Sequence, residues 1–213
     1  MNVRAEYGKR ARQKATHHEA ILEAAERIFG LRHPAEVAVD EIAAEAGVAK
    51  GTVYNYFADK VSLIEAISRR VQIDVADRVA SAMGTQSSSP ARIAMGLSAF
   101  LQLAVDDPWR AMTLSRLNLD APDLRSPLSQ VFIAELKRGT ESGALIAPSL
   151  DAALTLVLAI AHGASLRIIE TREPGAARDH GAALIAFGLC ALGVGAVASD
   201  LHVRSAFGRL GLA

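Results

Sequence analysis

Apolar residues recur three and four positions apart along nearly the whole chain, and no stretch alternates apolar with polar residues long enough to make a strand. That periodicity confines the fold to packed helices. Composition points the same way: 41 of the 213 residues are alanine, the residue that loses least on entering a helix. No segment repeats at a fixed period, which excludes a solenoid. The length suits one large domain or two small ones, with enough residues to bury a core.

Residues 1–14 carry five basic side chains against one acidic and few apolar ones, and are expected to form a mobile basic arm. Thr16 and Glu19 make a capping-box pattern. A helix should follow through Ile21, Leu22, Ala25, Ile28 and Phe29, ending at Gly30 and His33-Pro34. Short helices are expected at 39–46 and 50–56, with Gly47 at the corner between them. Asp59 can cap a longer helix from Lys60 to about Met83, and the Gly84–Pro90 stretch, with its run of serines, is the clearest break in the chain. Beyond it, helices are expected at about 91–106, 109–118 and 128–142, then from Ser149 or Asp151 to about Glu170, and at 176–197. A loop is expected at 119–127, a turn at 171–175, and a short amphipathic helix near 201–210. The organisation is thus an arm (1–14), a small helical domain (15–60), a connecting helix (61–83) and a larger helical domain (91–213).

Lys plus Arg and Asp plus Glu both number 23, so the net charge is zero. The average hides segregation. Residues 1–14 carry +4, residues 15–60 carry −4, and the remainder balances. One cysteine, Cys190, excludes an intramolecular disulfide and a multi-cysteine zinc site, fits a reducing cytoplasm, and falls in an apolar run where burial is expected. That run, Gly181 to Ser199, has 19 residues without a charge. It lacks aromatic edges and flanking lysines, so a buried helix is expected and not a membrane span. The charged start of the chain has no apolar core of a signal peptide.

Residues 39–57 carry the chemistry. A short helix, a glycine corner and a second helix with one clean apolar side are what a helix-turn-helix needs, the second helix entering the major groove. Val53 and Phe57 face inward as an i, i+4 pair, which turns Lys50, Gly51, Thr52, Tyr54, Asn55 and Tyr56 outward. Lysine can reach phosphate or guanine, and glycine allows close backbone approach. Threonine suits a phosphate or a thymine methyl, and asparagine can pair with adenine. The tyrosine hydroxyls and Lys60 are candidate phosphate ligands.

Residues 15–70 resemble the N-terminal DNA-binding domain of the TetR family of bacterial transcription regulators. The carrying residues are Ala43-Ala44-Glu45-Ala46-Gly47-Val48-Ala49-Lys50-Gly51-Thr52-Val53-Tyr54-Asn55-Tyr56-Phe57, then Lys60 and Leu63. The resemblance implies an all-α protein with a helix-turn-helix domain and a C-terminal helical domain for ligand binding and dimerisation. It implies repression at a palindromic operator as a homodimer, and release by a small molecule. Three positions depart from the family pattern: Ala38 and Ala49 stand where helix-capping Thr or Ser is usual, and Ala58 replaces a common Pro. A missing cap costs about 1 kcal/mol.

In the C-terminal domain, Met95, Phe100, Leu103, Trp109, Met112, Arg116, Phe132 and His162 are candidate liners of a ligand site. Trp109 would be a flat wall and Arg116 would orient an acid; the mostly apolar set suggests a hydrophobic effector. The two most apolar helices are expected to pair with a second copy through Val157, Ile160, Ala161, Ala164, Ile168, Ala183, Ala186 and Phe187. Adjacent His17 and His18 point to different sides of a helix and suggest no metal site. Gly193-x-Gly195-x-x-Ala198 lacks the preceding strand of a dinucleotide fingerprint. Asp106-Asp107 reads as a helix terminus, and no triad-like arrangement suggests an enzyme. The expected partners are double-stranded operator DNA, a small-molecule effector and a second copy, with no cofactor and no membrane. The alternative is a DNA-binding regulator of the same fold without an effector, controlled by a protein partner.

Overall fold

The computed structural model describes residues 3–117, 123–171 and 173–212. They form α1 (Val3–Leu31), a 3-10 turn (Pro34–Glu36), α2 (Val39–Glu45), α3 (Lys50–Tyr54) and α4 (Lys60–Gly84). Then come α5 (Ser89–Asp106), α6 (Pro108–Leu117), α7 (Pro127–Glu141), α8 (Leu150–Glu170), α9 (Pro174–Ala191) and α10 (Ala196–Leu210). No strand occurs among the described residues, as the periodicity requires.

The first correction concerns the N-terminus. Residues 3–14 are not an irregular arm but the first turns of α1. Thr16 is no N-cap, since its hydroxyl donates to the Arg12 carbonyl one turn earlier at 3.0 Å. Arg, Lys, Gln and Ala are good helix formers. Once Ile21, Leu22, Ala25 and Phe29 anchor the helix in the core, extending it needs no new nucleation. Of the loop expected at 119–127, residues 119–122 lie outside the described set.

Serines start the later helices. Ser88, Ser126 and Ser149 each accept from the backbone N–H three residues on, at 3.4, 3.2 and 3.2 Å, opening α5, α7 and α8. The charge-free run from 181 to 199 is two helices and not one. α9 stops at Ala191, Gly193 takes a left-handed φ of +85°, and α10 begins at Ala196. Cys190 is exposed near the end of α9, contrary to the burial expected from its apolar surroundings.

α5 lies at the centre, packed against α4, α6, α7, α8, α9 and α10. α1 packs on α2, α4 and α6. One continuous core runs from Ile21 and Phe29 through Ile42, Val53, Leu63 and Ile67 to Leu101, Phe132, Leu154 and Ile185. α8 is long and apolar enough to cross a membrane by length and composition alone. In the fold one side of it packs on α5, α6, α7 and α9.

Candidate nucleic-acid interface and regulatory cavity

The corner between α2 and α3 is set by hydrogen bonding. Val48 N–H donates to the Ala43 carbonyl at 3.0 Å and Gly47 N–H to the Ala44 carbonyl at 3.1 Å. This reciprocal pair closes a helix only when the residue between takes a left-handed conformation. Gly47, at φ +67°, supplies it without steric penalty. Ala38 has no side chain to cap α2, but Glu41 reaches back to accept from Ala38 N–H at 2.8 Å. That bond first, and Arg32 second, hold the Glu41 carboxyl below its ordinary pKa. α3 has no side-chain cap at Ala49. α4 has a full one: Asp59 accepts from Ser62 N–H at 2.7 Å, and this backbone bond lowers the Asp59 pKa.

Lys50, Gly51, Tyr54 and Asn55 stand exposed on the outer side of α3, with Thr52 half-buried beside them. Val53 and Phe57 are buried beneath. Lys50 is paired with Asp40 of α2 at 2.9 Å, and this hydrogen bond raises its pKa. Lys60 leans toward the Ala35 carbonyl at 3.5 Å. Tyr56 does not share the outer face. It is half-buried, its hydroxyl donates to the Lys14 carbonyl at 2.9 Å, and its ring lies 5.6 Å from His18. The expectation that both tyrosines face out fails because Tyr56 follows buried Val53 by three residues, with its N–H bonded to the Val53 carbonyl at 3.0 Å, and so lies on nearly the same side, toward α1.

The link from this unit to the rest of the protein was not readable from spacing. On one face of α6, Arg110 bonds Glu26 of α1 and Asp74 of α4, both at 2.8 Å. Thr113 donates to the Glu26 carbonyl at 3.1 Å, and Arg116 to the Phe29 carbonyl at 2.9 Å. Arg70 of α4 adds a contact to Glu19 at 2.6 Å. Burial acts to lower the Arg110 pKa, but the Glu26 hydrogen bond and the charges of Glu26, Asp74 and Asp107 outweigh it, leaving it raised. Asp107 also caps α6 through Arg110 N–H at 3.1 Å, the terminus role expected of the Asp106-Asp107 pair.

The other face of α6 borders a cavity of about 270 Å³. Ala111, Leu114, Ser115 and Leu117 meet there with Phe100, with Ser68 and Gln72 of α4, and with a face of α8 running from Leu158 to Ile169. Of the residues expected to line a ligand site, Phe100 and His162 border this cavity. Four of the leading candidates do not. Trp109 is 56% exposed in a separate cleft beside Leu31 of α1. Met112 is half-buried outside the cavity. Arg116 is turned to the end of α1, and Phe132 is fully buried against Gly96. Met95 and Leu103 are likewise ordinary core. The lining was missed because apolar type alone cannot separate core from cavity wall. The usable signal was the polar interruption of α8 by His162 and Ser165.

The residues expected at a subunit interface also divide. Val157, Ile160, Ala161 and Ala164 are buried within the protomer. Ile160 Cδ1 sits 2.4 Å from where a Cβ on Gly188 would stand, so it fills a notch in α9. Ile168 and Ala186 are half-buried, Ala183 is exposed, and Phe187 is 71% exposed. On α8 the outward stripe is Ala152, Thr155, Ala159 and Gly163.

These features define an all-helical protein that presents a helix-turn-helix at one end. A family model described as bacterial regulatory proteins, tetR family, matches residues 21–67. An uncharacterized HTH-type transcriptional regulator of Mycobacterium tuberculosis is 30% identical over 106 residues, covering 46% of this chain and 48% of the relative. The chain thus spans about half the length of that relative. The HTH-type transcriptional repressor BepR of Brucella suis is 28% identical over 166 residues, 71% of this chain and 79% of BepR. Among solved structures, RolR in complex with resorcinol has a TM-score of 0.68 at 19% identity, covering 91% of this chain and 95% of that one. A putative tetR family regulator from Shewanella has a TM-score of 0.72 at 20% identity, covering 83% and 97%. FadR of Bacillus subtilis, in complex with stearoyl-CoA, has a TM-score of 0.65 at 16% identity, covering 81% and 97%. Residues 21–67 thus match the DNA-binding region of bacterial regulatory proteins of the tetR family, and the described chain shares the fold of these solved structures.

Replacing Arg110 with Ala removes the 2.8 Å partner of both Glu26 and Asp74, leaving Arg70 at 3.7 Å from Glu26 and Arg78 at 3.2 Å from Asp74, in a seam where the arginine side chain is only 23% exposed. The expected loss is about 1–3 kcal/mol, between exposed and buried pairs. Urea unfolding reads it as a lower midpoint at unchanged slope, and an unchanged midpoint would show that the network adds nothing.

Proposed function

We propose that this protein is a ligand-responsive repressor that binds a palindromic operator as a homodimer, in the cytoplasm. The observation that carries the reading is α6, which is fastened to α1 on one face and walls the cavity on the other. A ligand that favours one position of α6 therefore favours one position of the helix-turn-helix. It can shift the balance only by its differential affinity for the two. RolR and FadR were crystallised with resorcinol and stearoyl-CoA, and BepR is named a repressor; these support the reading by likeness. Control by a protein partner without an effector would need no cavity, so the cavity favours the first reading over it.

In this reading residues 15–60 form the DNA-binding unit and 61–83 the connection. Residues 91–213 form the ligand-binding and dimerisation domain, and 1–14 a basic helical extension. Lys50, Gly51, Thr52, Tyr54 and Asn55 meet the major groove, and Lys60 a flanking phosphate. Lys50 exchanges Asp40 for phosphate on binding. Lys50→Ala should weaken binding to the DNA flanking its own gene and lower the slope of log affinity against log salt by about 1, measured by fluorescence anisotropy. An unchanged slope would remove Lys50 from the interface.

The second copy docks on the outer face of α8 and α9. Small residues at Ala152, Ala159 and Gly163 allow close helix approach, and Phe187 is a large apolar side chain left uncovered by the protomer. Phe187→Arg should give a folded monomer in sedimentation. A variant that stays dimeric would place the interface elsewhere. Arginine at Ile160 or Ala164 is no such test, because both are buried inside the protomer and the change would unfold it.

A further inference from the structure

We infer that the cavity between α4, α6, α7 and α8 takes a compact, uncharged ring compound bearing hydroxyl groups, and not a long-chain or anionic ligand. The inference rests on the ligand-responsive reading above and narrows it.

Size is the first constraint. An apolar cavity of about 150 Å³ holds benzene, and sites for drug-sized ligands run upward from about 300 Å³. At about 270 Å³ this cavity suits one substituted ring or two fused ones. The apolar part of the wall, which includes Phe100, Leu114, Leu128 and Ile169, can cover the ring faces.

Charge is the second. Among the described lining residues none is Lys or Arg, and the one charged group is acidic, Asp123. Asp123 is held ionised by a backbone bond from Arg125 at 2.9 Å, with the Arg125 guanidinium beside it. Among the described lining residues an anion would meet no Lys or Arg, and the one guanidinium at the rim, Arg125, already faces the Asp123 carboxylate, which makes entry of an anion unfavourable in a partly desolvated site. Arg116, the residue that would orient an acid, is engaged at the Phe29 carbonyl.

Hydrogen bonding is the third. Ser115 Oγ and His162 Nδ1 are paired across α6 and α8 at 3.1 Å. Gln72 donates to Ser68 Oγ at 3.1 Å, and Ser126 donates to Ser129 Oγ at 2.9 Å. Ser165 differs. It lines the cavity, is 4% exposed, and its buried hydroxyl has no partner among the described residues. A buried hydroxyl left unpaired is unfavourable, and one both donates and accepts. A ligand hydroxyl next to Ser165, one helical turn from His162, satisfies it.

The test titrates the full-length protein calorimetrically with p-cresol, resorcinol, toluene, benzoate and decanoate, with release of bound DNA followed in parallel. The expected result is saturable binding of p-cresol or resorcinol at one per chain, toluene weaker by at least about 3-fold, and no binding of benzoate or decanoate. Ser165→Ala should weaken the hydroxylated ring by about 3- to 10-fold, the value of one hydrogen bond, and leave toluene unchanged. Should that variant fold poorly, the comparison of p-cresol with toluene on the unaltered protein carries the same information. Tighter binding of benzoate or decanoate, or no binding by either hydroxylated ring, overturns the inference. Hydroxylated rings that bind without releasing DNA leave the cavity assignment standing and defeat the ligand-responsive reading. Release by an anion does the reverse.

Discussion

The seam where α6 lies along the end of α1 is the constraint on which the rest of the structure depends. Arg110 is a half-buried guanidinium, and even partial burial of a charge is tolerated only with close, well-aligned partners. Glu26 from α1 and Asp74 from α4 supply them. Thr113 and Arg116 add bonds to two backbone carbonyls of α1, so the register of α6 on α1 is fixed at three points along one helix face. Hydrophobic contact alone tolerates sliding, whereas these polar bonds specify one position. Because the opposite face of α6 closes the cavity, that position and the shape of the cavity are not independent.

The helix-turn-helix was legible in the sequence because its determinants are local. Gly47 signals the left-handed corner, Val53 and Phe57 mark the inward side four residues apart, and Asp59 announces α4. Helix positions in the larger domain were legible for the same reason, from apolar spacing and the Gly- and Pro-marked breaks, although the serine caps at Ser88 and Ser126 were not read. Tyr56 was misread because a residue three positions after inward Val53 lies on nearly the same side of the helical turn. The cavity and the subunit face were harder. Val157, Ala161 and Ala164 are apolar and small, like Ala152, Ala159 and Gly163, yet the first set is buried against α5 and α9 and the second faces out. In a helix apolar on every side, periodicity cannot say which stripe belongs to the protomer and which to a partner. Nor can sequence spacing pair Arg110 with Glu26, 84 residues earlier.

Neutral net charge is compatible with the proposed role because the charge is arranged, not absent. The basic residues of 1–14 continue the α1 helix, and Lys50 sits at the start of α3 with Asp40 as its resting partner. The high apolar content has an equally local origin. It is concentrated in α8 and α9, where one side of each packs on the core and the other, with Phe187, is exposed.

The account stands or falls on a two-fold protein reading DNA through α3. Selection of bound duplexes from a random pool by the full-length protein tests this most directly. The account predicts enrichment of a palindrome whose half-site centres are about one helical turn apart, roughly 34–36 Å, or a multiple of it. Enrichment of a single, non-repeated site, or none at all, would contradict it.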